Sequence, residues 1–283
     1  EAKVDVVVGY FCVESLMAAL PVLSEQKIPL INLNIRADIV QKLARDNDYH
    51  LYSLSPSQQE ETEFIASTLF KFFANDKILL LDDGDSFNAQ LTTKIETELT
   101  NLGMEKIERL TFRAGLSNQS NLMKQIEKQN TKVIFIAASY FDVATISANL
   151  KGSSNNNEDI LIIGTDELRA AQEKPLNNGV MAFIANFEIP QETYLYENLS
   201  MLEITTDPFL LNGYAAGEIS AQLSRLSQTK SNIPLQDFLL QELETHIFAT
   251  SIGAFWFSDN FATERPPFIL KVWQEGTFKD LDL

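Results

Sequence analysis

The sequence predicts a doubly wound α/β architecture in two lobes, each a mainly parallel sheet flanked by helices. Three observations carry this. Short apolar runs at Val4–Val8, Ile28–Leu33, Ile78–Leu81, Val133–Ala137, Ile160–Ile163 and Val180–Ala185 alternate with segments of helical spacing. Those runs are apolar on both faces and often β-branched, which suits central strands covered by helices on both sides. The length, 283 residues, is enough for two domains with substantial cores.

In chain order, the first two runs are followed by Ser57 and Glu60, a capping-box pattern ahead of Phe64, Ile65, Leu69, Phe72 and Phe73. After the run at Ile78, Phe87, Leu91, Ile95 and Leu99 recur every fourth residue, and Gly103 follows as a C-cap. Leu122 and Ile126 mark one further helix; Val143, Ile146 and Leu150 mark another. The stretch Lys151–Asp159 (KGSSNNNED) reads as an exposed loop. Asp207-Pro208 is a helix start, with Asp as N-cap and Pro at the first helical position. The helix behind it carries Leu211, Tyr214, Ile219, Leu223 and Leu226. Toward the end of the chain the pattern changes, and Gly253–Phe257, Phe268–Trp273, Glu275-Gly276 and Phe278 read as strands joined by turns.

The repeats from Ile78 to Ala185 make one self-contained sheet. Val4–Leu54 contributes two clear strands, too few for a domain, so the segment after Ile189 is expected to complete it. This predicts lobe I from residues 1–54 and 190–258, and lobe II from 55–189 and 259–283. A chain that leaves a domain and returns to it crosses a hinge more than once, the geometry of a clamshell with a cleft.

Composition removes several function classes. The 39 acidic residues against 22 basic give a formal charge of −17, which repels phosphate backbones and anionic membranes. No segment approaches 18 uninterrupted apolar residues, so no membrane insertion is expected. The start, Glu1-Ala2-Lys3-Val4, has no signal-peptide character; either the protein is cytosolic or a leader has been removed. Cys12 is the lone cysteine and His50 and His246 the two histidines, too few for a thiolate or multi-histidine zinc site. Gly84-Asp85-Ser86-Phe87-Asn88 lacks the second glycine of a nucleophile elbow. No phosphate-binding or dinucleotide glycine fingerprint occurs. No enzyme activity, catalytic residue, metal or cofactor is therefore expected.

Four stretches, in matching order and spacing, resemble the branched-chain amino-acid-binding protein family, the periplasmic receptors of Leu/Ile/Val ABC transporters. The first is VDVVVGYFCVESLMAALPVLSEQKIPLI at Val4–Ile31, with a strand, Gly, a polar loop, a helix keeping Pro21 in its interior, and a second strand. The second is Tyr52–Gln59, similar to the family's crossover into lobe two. The third is ILLLDDGDSFN at Ile78–Asn88, and the fourth Gly253–Asp259 followed by FILKVWQEGTF. The resemblance implies a Type I periplasmic-binding-protein fold and periplasmic or other extracytoplasmic location. It also implies capture of a small polar ligand, such as an amino acid, in an interlobe cleft by hinge closure. The partner would be the membrane permease of an ABC transporter or, alternatively, a signalling partner if the chain is a sensor. It further implies a strand-helix-strand unit before Val4, about 50–60 residues with its crossovers, that this sequence does not show. In some members the cysteine matching Cys12 pairs within that unit; a lone buried Cys acting as a small hydrophobe is the other reading.

In such sheets ligands sit beyond the C-terminal ends of strands, which selects five loops. Ser15 keeps the one hydroxyl where the family holds a ligand carboxylate at a helix N-terminus; Val13 and Glu14 depart from that pattern, and a self-capped helix is the alternative. Asn32 and Asn34 could meet polar groups of a ligand or form a plain turn. Phe87 matches the family's ligand-covering aromatic, or is the first core residue of its helix. Asp82, Asp83 and Asp85 beside it read as a solvated acidic loop rather than a cation site. Tyr140 offers a ring and a hydroxyl to a ligand, or packs on its own lobe at a helix start. Asp166 fits the family's partner for a ligand ammonium, and can also cap the helix that follows.

Overall fold

A computed structural model of the chain describes residues 3–152, 160–169, 175–186, 189, 193–202, 204, 208–228, 233–257, 262–263 and 268–281. The chain separates into two compact units, Glu1–Gln59 with Asn186–Pro267, and Glu60–Ala185 with Phe268–Leu283.

The first unit opens with β1 (Val7–Val8), α1 (Val13–Glu25), β2 (Leu30–Asn32), α2 (Asp38–Asn47) and β3 (Leu51–Ser53). The strands are parallel in the order β1-β2-β3. Leu16 and Leu20 of α1 are fully buried with Leu30, Val40 and Leu51 on one face of this sheet. Pro21 lies inside α1, as expected from the sequence. Cys12, for which a buried role was one reading, is exposed and unpaired.

After α3 (Gln58–Phe73), the second unit alternates β4 (Ile78–Asp82), α4 (Ser86–Asn101), β5 (Ile107–Thr111), α5 (Ser120–Gln129), β6 (Val133–Ala137), α6 (Tyr140–Gly152), β7 (Leu161–Gly164), a single 3-10 turn (Asp166–Arg169) and β8 (Met181–Ala185). Strands β4 and β6 are buried along their whole length, because helices cover both faces. Leu79, Ile134 and Ala182 face one apolar layer with α5 and α6; Ile78, Leu80, Phe135 and Phe183 face the other with α3 and α4.

The chain then adds α7 (Tyr194–Met201), α8 (Pro208–Ser227), α9 (Leu235–Thr245), β9 (Phe248–Thr250), β10 (Gly253–Trp256) and β11 (Ala262–Thr263) to the first unit. Strands β9 to β11 form a small antiparallel sheet. Strands β12 (Phe268–Gln274) and β13 (Thr277–Asp280) complete the second unit's sheet, of order β13-β12-β8-β7-β6-β4-β5. Glu275 and Gly276 both have positive φ, 52° and 87°, as a two-residue hairpin turn of primed type requires. The turn brings Trp273 opposite Phe278, with ring centroids 5.0 Å apart.

The sequence anticipated the parallel sheet and its central strands. It did not anticipate β5, whose residues are mostly exposed at the sheet edge, nor β3, which is three residues long. The expected cap Asp207 and residues 153–159 of the Lys151–Asp159 loop lie outside the described residues.

Candidate functional site

Open α/β sheets bind ligands at the C-terminal ends of their parallel strands, and each unit has such an edge.

In the first unit, β2 runs directly into a carboxamide network. Asn32 is fully buried; its Nδ2 donates to Ile35 O at 2.8 Å and Ser53 Oγ at 3.1 Å, and its Oδ1 accepts from Ile35 N at 3.0 Å. Those bonds use the side chain to close the turn, the second of the two roles open to it. Asn34 is differently placed. Its Oδ1 accepts from Ser55 Oγ at 3.1 Å and from Asn212 Nδ2 at 3.0 Å. Asn212 also donates to Leu33 O at 2.7 Å and to Ser55 Oγ at 3.3 Å, and Ser55 Oγ donates to Leu33 O. Asn212 must turn its amide nitrogen toward the Leu33 carbonyl, and this in turn fixes Asn34 with its oxygen inward. Two buried atoms remain without a partner, Asn34 Nδ2 and Asn212 Oδ1. A buried amide without a partner costs on the order of 1–3 kcal/mol.

At the end of β1, Ser15 is exposed and its Oγ donates back to Cys12 O at 2.9 Å. The N-cap Cys12 makes no side-chain cap bond to the helix; its Sγ instead donates to Glu14 Oε2 at 2.7 Å. That bond, and then the backbone amide of Glu14 itself, hold the Glu14 carboxyl below its ordinary pKa.

In the second unit, Phe87, Tyr140 and Asp166 follow β4, β6 and β7, three neighbouring strands of one sheet. Phe87 N donates to the N-cap Asp85 Oδ1 at 2.8 Å, and its ring is 38% exposed while Leu91, Ile95 and Leu99 below it are buried. The neighbouring acids spend their oxygens on the loop. Asp82, fully buried, accepts from Gly84 N and Thr92 Oγ1, both at 3.1 Å. Asp83 accepts from Asp85 N at 3.0 Å and Asn88 Nδ2 at 3.1 Å. Among the described residues, no three His, Cys, Asp or Glu side chains gather as for a metal ion.

Tyr140 is the first residue of α6 and only 8% exposed, packed in the layer with Val143, Leu168 and Leu176. Its hydroxyl is buried beside the Leu176 backbone; burial raises its pKa, partly opposed by a hydrogen bond from that backbone. The helix start itself is capped by Ser139, whose Oγ accepts from Asp142 N at 3.3 Å and donates to Asp142 Oδ2 at 2.8 Å; Asp142 Oδ1 also accepts from Gly115 N at 2.8 Å. Asp166 Oδ1 accepts from Ala185 N at 3.0 Å and lies 4.0 Å from Arg169 Nη1. The carboxylate thus bridges β7 to β8 and already faces a cation of its own unit. Thr165, just before it, has a buried hydroxyl without a partner.

The sequence did not single out Ser55, Thr165 or Asn212. Asn212 carried a legible signal, a lone polar residue on the buried stripe of Leu211, Ala215, Ala216 and Ile219. Thr165 and Ser55 looked like ordinary loop residues; only their burial distinguishes them.

No curated protein matches the chain. Solved structures show the same fold. A solute-binding protein of an ABC transporter from R. palustris, in complex with benzoate, is 16% identical with a TM-score of 0.73, over 98% of this chain and 76% of that one. A leucine binding protein from Thermotoga maritima is 15% identical with a TM-score of 0.70, over 98% and 78%. A solute binding protein of an ABC transporter from Rhodopseudomonas palustris, in complex with p-hydroxybenzoic acid, is 13% identical with a TM-score of 0.73, over 99% and 77%. These neighbours are binding proteins rather than enzymes, and among the described residues no helix is long and apolar enough to cross a membrane. The model of one family, described as periplasmic binding protein, matches residues 1–181, and the chain, which shares the Type I periplasmic-binding fold of these neighbours, belongs to that family.

Proposed function

We propose that the chain captures a small polar solute, an amino acid or a related compound, outside the cytoplasm and hands it to the permease of an ABC transporter. One observation supports this beyond family membership: several buried polar atoms without partners sit at strand ends. Asn34 Nδ2 follows β2 with Asn212 Oδ1 beside it, and in the second unit Thr165 Oγ1 follows β7, whereas Asn177 Nδ2 and Gln236 Oε1 lie away from such ends. Buried polar groups are normally satisfied, so donors and acceptors left over at a ligand-binding edge are groups for a solute to complete. Asn34 supplies a donor whose orientation is fixed before binding, which reduces the ordering cost of association. Phe87 contributes a half-exposed ring and Asp166 a carboxylate.

The neighbours' solutes, leucine in one and benzoate or p-hydroxybenzoic acid in others, set the probes. Melting temperature is measured with leucine, other amino acids, polyamines, choline, benzoate and 4-hydroxybenzoate. One class is expected to raise it with concentration, as a ligand of the native state must, and Asn34→Ala is expected to remove the rise. A protein whose melting temperature ignores every class overturns the proposal.

A further inference from the structure

The end of β1 carries a side-chain group that the carboxamide network does not use. Phe11 is 80% exposed and Phe209, in the first turn of α8, is 52% exposed; their ring centroids lie 5.9 Å apart with 37° between the planes. On the same helix Leu211 and Ile219 are buried in the core, so Phe209 is held out of the core by its place on the helix. Exposed aromatic faces carry negative quadrupole potential and attract cations, best of all alkylated ammonium groups. Three residues after Phe11, the Glu14 carboxylate accepts from Cys12 Sγ, which holds it against the residue that follows Phe11. It stays ionised through the neutral range. Asp166, the other acid expected to meet an ammonium, already faces Arg169. The chain's formal charge of −17 adds a long-range field of the same sign.

We propose that Phe11, Phe209 and Glu14 form a recognition element for an organic ammonium solute, the rings covering its alkyl-clad cation and the carboxylate balancing its charge. This rests on the solute-binding reading and narrows its ligand class. A solute whose charge is a carboxylate meets the wrong sign at both the ring faces and Glu14.

The test is titration calorimetry with choline, its uncharged carbon isostere dimethylbutanol, benzoate and leucine, on the full chain and on Phe11→Leu and Glu14→Gln. Both altered side chains are exposed. Choline is expected to bind, and the isostere at least about ten-fold more weakly. Phe11→Leu, which keeps apolar area but removes the π face, is expected to weaken choline about five-fold and leave the isostere unchanged. Glu14→Gln is expected to weaken choline at low salt and much less at high salt. The proposal is overturned if the isostere binds as tightly as choline, or if neither substitution changes choline binding. Binding of benzoate or leucine by a chain that ignores choline overturns this inference alone; silence toward all four solutes overturns the solute-binding reading with it.

Discussion

Replacing Gly164 by alanine tests how the end of β7 holds Asp166 in place. A Cβ at this position would lie 2.5 Å from Leu168 Cδ1 and 2.9 Å from Leu168 Cγ, against an optimum carbon separation of about 3.5–4.0 Å. Leu168 is fully buried in the layer with Tyr140 and Leu176. Because Cγ as well as Cδ1 is overlapped, rotating the tip about χ2 does not relieve the clash: Leu168 must leave its χ1 rotamer within a packed layer or the 3-10 turn Asp166–Arg169 must move. Overpacking of this kind costs about 1–3 kcal/mol. With a urea dependence of about 1–3 kcal/mol per M, the unfolding midpoint of Gly164→Ala should fall by roughly 1 M. Leu168→Ala alone should cost about 2–5 kcal/mol as a cavity. The double variant should cost less than the sum of the two by about 1 kcal/mol or more, since alanine at 168 vacates the overlapped space. Hydrogen exchange at the Ala185 amide should quicken in Gly164→Ala, because its acceptor Asp166 rides on the displaced turn. Strict additivity of the two costs, or a Gly164→Ala midpoint equal to that of the parent, would refute the reasoning.

Three other outcomes follow from buried polar groups. Asn212→Leu removes the donor shared by Leu33 O, Asn34 Oδ1 and Ser55 Oγ and should destabilise by about 1–3 kcal/mol in thermal melts; an unchanged melt would mean the network is dispensable. Asp142→Ala strands the Gly115 amide and the Ser139 hydroxyl and should cost about 2 kcal/mol, with Asp142→Asn milder because one acceptor oxygen remains; equal losses for the two would sink this account. Burial, then the charges of Glu244 and Asp48, push the Tyr52 phenol well above its ordinary range. A folded pKa above the unfolded value of about 10 means the native state keeps a proton the unfolded chain releases. Stability is therefore fully present below about pH 10 and declines as pH rises beyond it. Tyr52→Phe should make that alkaline decline shallower in denaturation series, leaving the smaller contribution of Tyr140, whose pKa is also raised by burial; an unaltered alkaline slope would refute the assignment.

The sequence alone determined the layered α/β class, because strands covered on both faces must be apolar on both faces. The runs at Ile78 and Val133 could be little else. It also located the strand-end loops, because polar residues directly after such runs mark where the chain leaves the sheet. What it could not decide was which way each loop side chain turns. Asn32 and Asn34 are two residues apart and chemically identical, yet one closes its own turn while the other keeps a donor in reserve. The difference comes from Asn212, 178 positions away from Asn34. Tyr140 and Asp166 were legible as strand-end residues, but the partners that bury the first and engage the second, Leu176, Ala185 and Arg169, come together only in the folded sheet. Local spacing fixes the period of a strand or helix. Hydrogen-bond partners are fixed by contacts distant along the chain, and those exist only once the tertiary structure has formed.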